Sequence, residues 1–371
     1  MPTRDLGKEE LANLEKVFKS GKLSVLQGGK MQSRFEQAFA RAHGVQYAVA
    51  MNSAMSVLHA AVIVAGVQPG VEVICDPVCV FGSLAVLYQR GTPVFVDCQP
   101  VTLNMDPTQI EDKITERTKA LIVTHIGGLP AEMDRIMKIA RKYKLFVIED
   151  CAHAFLATYK GKSAGSWGDV GSFSFQASKQ LSTGDGGMAI TNSKAIADAL
   201  ALHAGAPTFK ATAYGVHYNY RMNETTAAVG LAQLPKIKKA CKEVIKIARL
   251  WDAAISEASW LIPQCAPEGA QSTYHLWVAT FDGEKYGISR VRFAEALQKH
   301  KLADTFSLGY TGFPAYRHPV YDMFPKGTYP EGLCPNAEWM IPRLIFGYPM
   351  ISMERALRCA ESWRALIKEL S

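Results

Sequence analysis

The sequence predicts an α/β fold in which helices cover both faces of a mostly parallel sheet. Short apolar runs alternate with helical segments between residues 47 and 148, and each run is continuously apolar. Continuous runs indicate strands that are buried on both faces and joined by right-handed crossovers. The pattern changes near residue 250. We therefore expect a large domain over residues 1–248, with an N-terminal arm, and a smaller α+β domain over residues 249–371.

Each predicted element rests on the spacing of its apolar residues and on a start or stop signal. Ser53, for example, can cap the helix that follows it, whereas Pro235 should kink or split a long helix. The predicted strands are residues 47–51, 71–75, 93–96, 120–124, 145–148 and 274–280. The predicted helices are residues 11–18, 35–40, 54–66, 81–89, 106–114, 133–143, 225–249, 291–300 and 353–367.

Composition indicates an ordinary globular protein. The chain of 371 residues is 48% hydrophobic and 20% charged, and its net charge of +7 is spread along the chain without a long basic block. This gives little support to nucleic acid as a partner but suits small anionic substrates. No apolar run reaches the length of a membrane span, and the first residues lack the apolar core of a signal peptide. We therefore expect a cytoplasmic protein with no membrane partner.

The eight cysteines do not indicate a metal centre. None of them forms a Cys-x-x-Cys pair, and several lie in apolar runs, where a thiol behaves as a small hydrophobic group. We expect them to be reduced and expect no metal site.

Lys179 and Asp150 are the central candidates for catalysis. Asp150 ends an apolar strand. Lys179 lies in a small polar turn that follows a second apolar strand and precedes the glycine-rich residues 184–187. A lysine held against such a carboxylate suits pyridoxal 5'-phosphate, because the lysine forms a Schiff base and the aspartate keeps the ring nitrogen protonated. The ordinary alternative is a solvated lysine and an aspartate that caps a helix or pairs with an arginine.

Three further residues are weaker candidates. His153 lies three residues beyond Asp150 and could touch the cofactor, although such a histidine is more often packed in a core. Ser174 could donate its hydroxyl to a phosphate or could simply alternate along its strand. Phe81 could stack on an aromatic cofactor, although a lone phenylalanine after a strand is usually core. The strand-to-helix turn at Ser53 is a natural anion site, but most caps bind nothing.

Other motifs for ligand binding or catalysis are missing. The first strand is followed by no Gly-x-Gly-x-x-Gly, and the chain has no Walker loop. The glycines at residues 165–168 do not have the spacing of a nucleophile elbow. Dinucleotide binding and serine hydrolysis are therefore unsupported.

Taken together, these segments resemble the DegT/DnrJ/StrS family of sugar aminotransferases. The match extends over most of the chain and includes residues 149–154, 165–169, 172–179 and 183–187, with further matches at 52–53, 93–97, 127–130, 219–222, 230–234 and 334–338. The resemblance implies a pyridoxal-phosphate enzyme of fold type I. It also implies a cycle in which pyridoxamine 5'-phosphate is the intermediate form of the cofactor.

The resemblance implies roles residue by residue. Lys179 matches the Schiff-base lysine, Asp150 the partner of the ring nitrogen, and His153 a glutamine or histidine near the ring. The remaining matches are Phe81 as the stacking residue, Ser174 as a phosphate ligand, and Asn219 as an asparagine that reaches the phosphate in the neighbouring subunit. A homodimer with shared active sites is therefore implied.

The chain departs from the family pattern at three places. One is the turn at residues 77–80, which is more apolar than the Pro-Ser-aromatic-Thr turn of the family. Where the family has Ser-Gly-Thr, this chain has Ser53-Ala54-Met55, so the threonine hydroxyl at the phosphate is absent. The remaining candidates are the backbone N–H groups of Ala54 and Met55, or the hydroxyl of Ser56. In the late loop, residues 314–319 are closer to family members that act on cyclitol ketones than to those that act on nucleotide sugars.

We therefore expect an aminotransferase that moves an amino group from glutamate or glutamine to a keto-sugar or cyclitol, as in amino-sugar or aminoglycoside-type biosynthesis. Two alternatives stay open. One is a pyridoxal-phosphate-dependent sugar dehydratase, whose family members carry histidine at the position of Lys179. The other is a non-catalytic regulator on the same fold, which would be expected to lack the lysine or the aspartate.

Overall fold

A computed structural model describes residues 6–205 and 217–371 of the chain. Its helices are α1 (Lys8–Ser20), α2 (Met31–His43), α3 (Ala54–Val64), α4 (Val80–Tyr88), α5 (Met133–Tyr143), α6 (Lys194–His203), α7 (Glu224–Ile255), α8 (Arg290–Lys299), α9 (Pro335–Met340) and α10 (Met353–Leu370). Its strands are β1 (Tyr47–Met51), β2 (Glu72–Cys75), β3 (Thr92–Phe95), β4 (Thr118–Thr124), β5 (Phe146–Asp150), β6 (Thr158–Tyr159), β7 (Lys162–Ser163), β8 (Val170–Ser174), β9 (Gly187–Thr191), β10 (Leu261–Pro263), β11 (Ala270–Gln271), β12 (Trp277–Phe281), β13 (Phe306–Leu308) and β14 (Leu344–Gly347).

The largest sheet has seven strands in the order β1-β9-β8-β5-β4-β2-β3. The pairs β2/β3, β2/β4, β4/β5 and β5/β8 are parallel. Strand β9 runs antiparallel to both of its neighbours, β1 and β8. The predicted α/β fold with a mostly parallel sheet is therefore confirmed.

Both faces of this sheet are buried, as its continuous apolar runs require. In β4, Ile122 belongs to the core that contains α3 and α4. Its neighbours Leu121 and Val123 face the opposite core, which contains α5. Successive side chains of a strand point to opposite faces, so a strand between two helical layers must be apolar at every position.

A second, antiparallel sheet has the order β10-β12-β14-β13. It packs against α8, α10 and the C-terminal half of α7, with Trp251, Trp277 and Trp363 in the shared core. The N-terminal half of α7 belongs to the core around Phe35 and Phe39 instead. The boundary between residues 248 and 249, which falls inside α7, stays a prediction.

Two sequence-based predictions of helices are corrected by the structure. Residues 106–114 form two short 3-10 turns, Pro107–Gln109 and Glu111–Lys113, instead of one helix. The carboxylate of Asp106 accepts hydrogen bonds from both the backbone N–H and the hydroxyl of Thr108, which favours a tight turn. In α7, the helix continues without a break through Pro235, whose side chain lies in an exposed position.

Candidate active site

A cavity of about 420 Å³ lies where the carboxyl ends of β4, β5 and β8 meet the N-terminus of α3. Ligands of open α/β sheets bind at this edge. Seven of the eight sequence-predicted site residues line it, namely Lys179, Asp150, His153, Ser174, Phe81, Ala54 and Met55. The structure thus brings together residues that are up to 125 positions apart in the chain, from Ala54 to Lys179.

Lys179 lies in a turn that is held by its own side chains. Gln176 Oε1 accepts hydrogen bonds from the backbone N–H and the hydroxyl of Ser178, both at 2.7 Å. The N–H of Lys179 donates to the carbonyl of Gln176 at 2.9 Å, which closes the turn. Burial lowers the pKa of the Lys179 amine from its ordinary value, against the opposing influence of Asp150 and Cys79. A lowered pKa makes the amine a better nucleophile and base.

Asp150 is the last residue of β5, and only 2% of its surface is exposed. The backbone N–H of Ala152 donates to Asp150 Oδ1 at 3.0 Å. Burial raises the pKa of this carboxyl group, whereas that hydrogen bond and the positive charge of Lys179 act in the opposite direction. A buried carboxylate of this kind stabilises a cation that is brought beside it.

His153 lies in the same cavity and is stacked against a second histidine, His275. The ring centroids are 4.5 Å apart and the rings are tilted by 32°. Burial lowers the pKa of His153 well below its ordinary value, and the charge of Lys179 acts in the same direction. His153 is therefore neutral at physiological pH. Its Nδ1 atom is buried and has no hydrogen-bond partner among the described residues, so it is available to a polar group of a ligand.

The N-terminus of α3 lines the cavity together with Lys179. The hydroxyl of Ser53 accepts a hydrogen bond from the N–H of Ser56 at 3.1 Å and so caps the helix. The first N–H groups, those of Ala54 and Met55, have no acceptor within the helix. The hydroxyl of Ser174 completes the polar edge of the cavity at this end.

Aromatic side chains also line the cavity. Phe81 lies in the first turn of α4 and is 51% exposed, so its ring is available to a flat ligand. Tyr310 and Tyr348 also line the cavity, and each packs against Phe346. Burial raises the pKa of Tyr310 well above its ordinary value, which keeps its hydroxyl protonated and able to donate.

Several lining residues were not among the predicted site residues. They include His275, Tyr310, Tyr348, Cys79 and Gln176. The two tyrosines lie within residues 308–349, a stretch rich in proline, glycine and aromatic residues, and this composition is the sequence signal that could have pointed to them. A single histidine just before a strand carries no such signal, because its partners come from distant parts of the sequence.

Asn219 is the predicted residue that does not line this cavity. It is exposed and lies between Tyr218 and Tyr220, whose rings are stacked at 5.1 Å. The carbonyl of Tyr220 accepts a hydrogen bond from the N–H of Asn52 at 2.7 Å, so this segment runs beside the entrance to α3. Its predicted contact with a neighbouring subunit stays a prediction.

His125, Glu149 and Cys151 form a buried cluster. Their atoms that could bind a metal ion lie within 4.8 Å of one another. Glu149 accepts hydrogen bonds from His125 Nε2 and from the backbone N–H groups of Gly165, Trp167 and Gly168, all at 2.7–3.0 Å. Because both carboxylate oxygens are used by these donors, the cluster fixes the loop 165–168 against β5 and is not suited to hold a metal ion.

The residues of the cavity fit pyridoxal 5'-phosphate. The half-buried amine of Lys179 matches its aldehyde, and the buried carboxylate of Asp150 matches its ring nitrogen. The N-terminus of α3 and the hydroxyl of Ser174 match its phosphate. The unpartnered Nδ1 of His153 and the exposed face of Phe81 supply a polar contact and a stacking surface for the ring.

Comparison with known proteins supports this interpretation. The sequence profile of the DegT/DnrJ/EryC1/StrS aminotransferase family matches residues 4–356. The chain is 39% identical to the GDP-perosamine synthase of Escherichia coli over an alignment of 349 residues that covers 90% of this chain and 89% of that protein. It is 35% identical to the spore coat polysaccharide biosynthesis protein SpsC of Bacillus subtilis, covering 98% of this chain and 95% of that protein.

The fold is shared with solved structures. The aminotransferase of Psychrobacter cryohalolentis superimposes with a TM-score of 0.89 at 23% identity, covering 99% of this chain and 98% of that one. Among the helices that the structure describes, none is long and apolar enough to cross a membrane.

Proposed function

Because this chain belongs to the DegT/DnrJ/EryC1/StrS aminotransferase family, we propose that it moves an amino group from an amino acid to a ketone of a sugar or cyclitol. The observation that carries the proposal is the placement of Lys179 and Asp150 in one cavity beside the N-terminus of α3. We further propose glutamate or glutamine as the amino donor.

The cavity residues have separate tasks in this reaction. When bound, pyridoxal phosphate supplies an aldehyde that takes up the amino group and a ring that accepts electrons. Lys179 takes the proton from the α-carbon of the donor at its Nζ, which its lowered pKa favours. Asp150 stabilises the positive charge at the ring nitrogen. The N–H groups of Ala54 and Met55, with Ser174, hold the phosphate.

The acceptor is a keto-sugar or a cyclitol. The family and the relative named GDP-perosamine synthase support a sugar. The hydroxyls of Tyr310 and Tyr348 at the cavity wall are suited to a polyhydroxylated ring. We also propose that the enzyme is a homodimer in which Asn219 reaches the cofactor phosphate of the other subunit. The exposed position of Asn219 beside the entrance to α3 is compatible with that role.

The visible absorption spectrum of the purified protein tests this function. We expect a yellow protein that bleaches on addition of glutamate or glutamine, and whose colour returns when a keto-sugar or inosose is offered. Lys179→Ala should abolish turnover while leaving cofactor binding, whereas the exposed lysine variant Lys326→Ala should behave as wild type. An active Lys179→Ala variant, or a protein that takes up no pyridoxal phosphate, would contradict the proposal.

A further inference from the structure

His275 forms a hydrogen bond with the side chain of Lys179. Its Nε2 atom lies 3.3 Å from Lys179 Nζ. The residue is 2% exposed and lies in the segment that leads into β12 of the second sheet. Asp150 instead ends β5 of the large sheet, and Lys179 lies in the turn that connects β8 to β9 of that sheet. The contact therefore joins the reacting amine to a different part of the fold.

Hydrogen bonds on both sides of His275 fix its segment against the turn Ile126–Gly128, which follows β4 of the large sheet. The N–H of Thr273 donates to the carbonyl of Gly128 at 3.2 Å, and the N–H of Leu276 donates to the carbonyl of Gly127 at 3.1 Å. A Cβ atom at Gly128 would lie 3.0 Å from the backbone nitrogen of His275, and this glycine has a φ of 102°. A side chain at this position would push the segment away, so only glycine allows the approach.

The ring of His275 is also held in place. One face lies against His153, with centroids 4.5 Å apart, and the ring of Tyr348 meets it edge-on at 5.6 Å. A ring packed in this way cannot turn without moving its neighbours. Its Nε2 is therefore directed at Lys179 by packing and not by the lysine alone.

The direction of the hydrogen bond follows from the groups that meet there. A lysine ammonium has three N–H donors and no acceptor, so its partner must accept. A protonated His275 would instead place a second cation against Lys179, in a site where His153 is already held neutral. Asp150 and Cys79 also act on this amine, and both favour its protonated form.

We infer that His275 is a positioning residue for Lys179, and that its Nε2 accepts a hydrogen bond from the lysine amine and holds that amine at the cavity beside Asp150. The inference rests on the proposed function only in treating Lys179 as the reacting amine. A neutral acceptor interacts more strongly with an ammonium than with an amine, so His275 favours the protonated state of Lys179. It thereby provides a fixed position at which the lysine can hold the proton that it takes from the donor.

The tautomer of His275 tests the inference in the wild-type chain. With Nε2 as acceptor, the ring proton lies on Nδ1, and nitrogen NMR of the histidine-labelled full chain should show a protonated Nδ1 and an unprotonated Nε2 at neutral pH. His275→Phe identifies the signal. A ring proton on Nε2 would overturn the inference.

Competitive acetylation with acetic anhydride tests the consequence for Lys179. The full chain is first treated with hydroxylamine to remove bound pyridoxal phosphate, and labelling of Lys179 is then measured against pH by peptide mass spectrometry. In His275→Phe, which keeps an aromatic ring but has no acceptor, the profile should shift to lower pH, with severalfold more labelling below the wild-type midpoint. His275→Gln, whose Oε1 can replace Nε2, should stay close to wild type.

The controls separate positioning from packing. His300→Phe removes an imidazole that pairs with Glu369 far from the cavity and should leave the profile unchanged. Coincident profiles for wild type, His275→Phe and His275→Gln would show that His275 only fills space, which would overturn the inference. Failure of the proposed function would appear separately, as a wild-type chain whose Lys179 forms no borohydride-stable adduct with pyridoxal phosphate.

Discussion

Gly187 lies against the backbone of Ser53 with no space between them. A Cβ atom at Gly187 would be 2.4 Å from the carbonyl carbon of Ser53 and 2.6 Å from the nitrogen of Ala54. The first residue of β9 thus sets the position of the N-terminus of α3, the end that we propose as the phosphate site. The anion site depends on a glycine that need not touch the ligand.

Gly187→Ala should therefore weaken cofactor binding. The added methyl group meets backbone atoms, which cannot rotate away, so α3 must shift, at a cost of roughly 1–3 kcal/mol in the free energy of unfolding. We expect a higher dissociation constant for pyridoxal phosphate in a spectroscopic titration. Gly230→Ala is the matched control, because its Cβ would meet the ring of Phe35 at 2.6 Å, in a core away from the cavity. It should lose stability but not affinity, and equal losses of affinity would contradict the prediction.

Asp150→Asn should still bind the cofactor but should slow the reaction with the amino donor. Asparagine keeps an oxygen for the N–H of Ala152 but cannot carry the negative charge that the ring nitrogen requires. We expect pyridoxal phosphate to bind and the half-reaction with the amino donor, followed by stopped-flow absorption, to slow by about a hundredfold or more.

Asp169→Asn is the control for that prediction. Asp169 accepts a hydrogen bond from the N–H of Val147 at 2.8 Å, near the other end of β5, so it is also a carboxylate bonded to backbone along the same strand. Its replacement should leave the rate of the half-reaction unchanged. A normal rate in Asp150→Asn would refute the role that we propose for Asp150.

The large sheet could be predicted because a strand that is buried on both faces has an apolar residue at every position. Strand β4 must be apolar at Leu121, Ile122 and Val123, since each side chain meets a helical layer. The same logic failed at residues 106–114, where the side chain of Asp106 competes for backbone N–H groups and produces two short turns. Local apolar spacing does not report such competition.

The site was predictable where its residues lie close together in the sequence. Asp150, His153, Ser174 and Lys179 fall within 30 positions and follow two strands of one sheet. His275 could not be predicted, because its contact with Lys179 depends on how the second sheet docks at Gly128. Nothing in the sequence near a lone histidine encodes that docking.

Glu149→Gln should destabilise the fold strongly. Three backbone N–H groups and His125 donate to the two carboxylate oxygens of this fully buried side chain. An amide would turn one of its two acceptors into a donor that faces other donors, at a cost of about 3 kcal/mol in the free energy of unfolding. Urea unfolding measures the loss.

Glu15→Gln provides the comparison at the surface. Glu15 pairs with Lys19 at 3.3 Å, and both side chains are largely exposed. Its replacement should change the free energy of unfolding by less than about 0.5 kcal/mol. If Glu149→Gln were equally mild, the buried cluster of His125, Glu149 and Cys151 would not fix the loop 165–168 as argued.

Asp76 should make stability depend on pH. Its carboxylate follows β2, is buried, and accepts hydrogen bonds from the N–H groups of Val78 and Cys79 and from the hydroxyl of Thr124. Burial outweighs these bonds and raises the pKa of Asp76 from 3.8 to about 6, and the nearby charge of Asp150 adds to the rise. The folded state therefore holds this proton at pH values where the unfolded chain has released it.

The sign of the effect follows from that difference. The contribution of protonated Asp76 is fully present below pH 3.8 and is lost as the pH rises to about 6. Over this pH window the shift corresponds to a loss of about 3 kcal/mol at most in the free energy of unfolding.

Asp76→Asn cannot ionise, keeps an oxygen for the two N–H groups, and can donate a hydrogen bond to the hydroxyl of Thr124. Its free energy of unfolding should therefore fall less than that of wild type between these pH values, and above pH 6 it should equal or exceed the wild-type value. Parallel stability curves for the two proteins, measured by urea unfolding across this range, would exclude a raised pKa at Asp76.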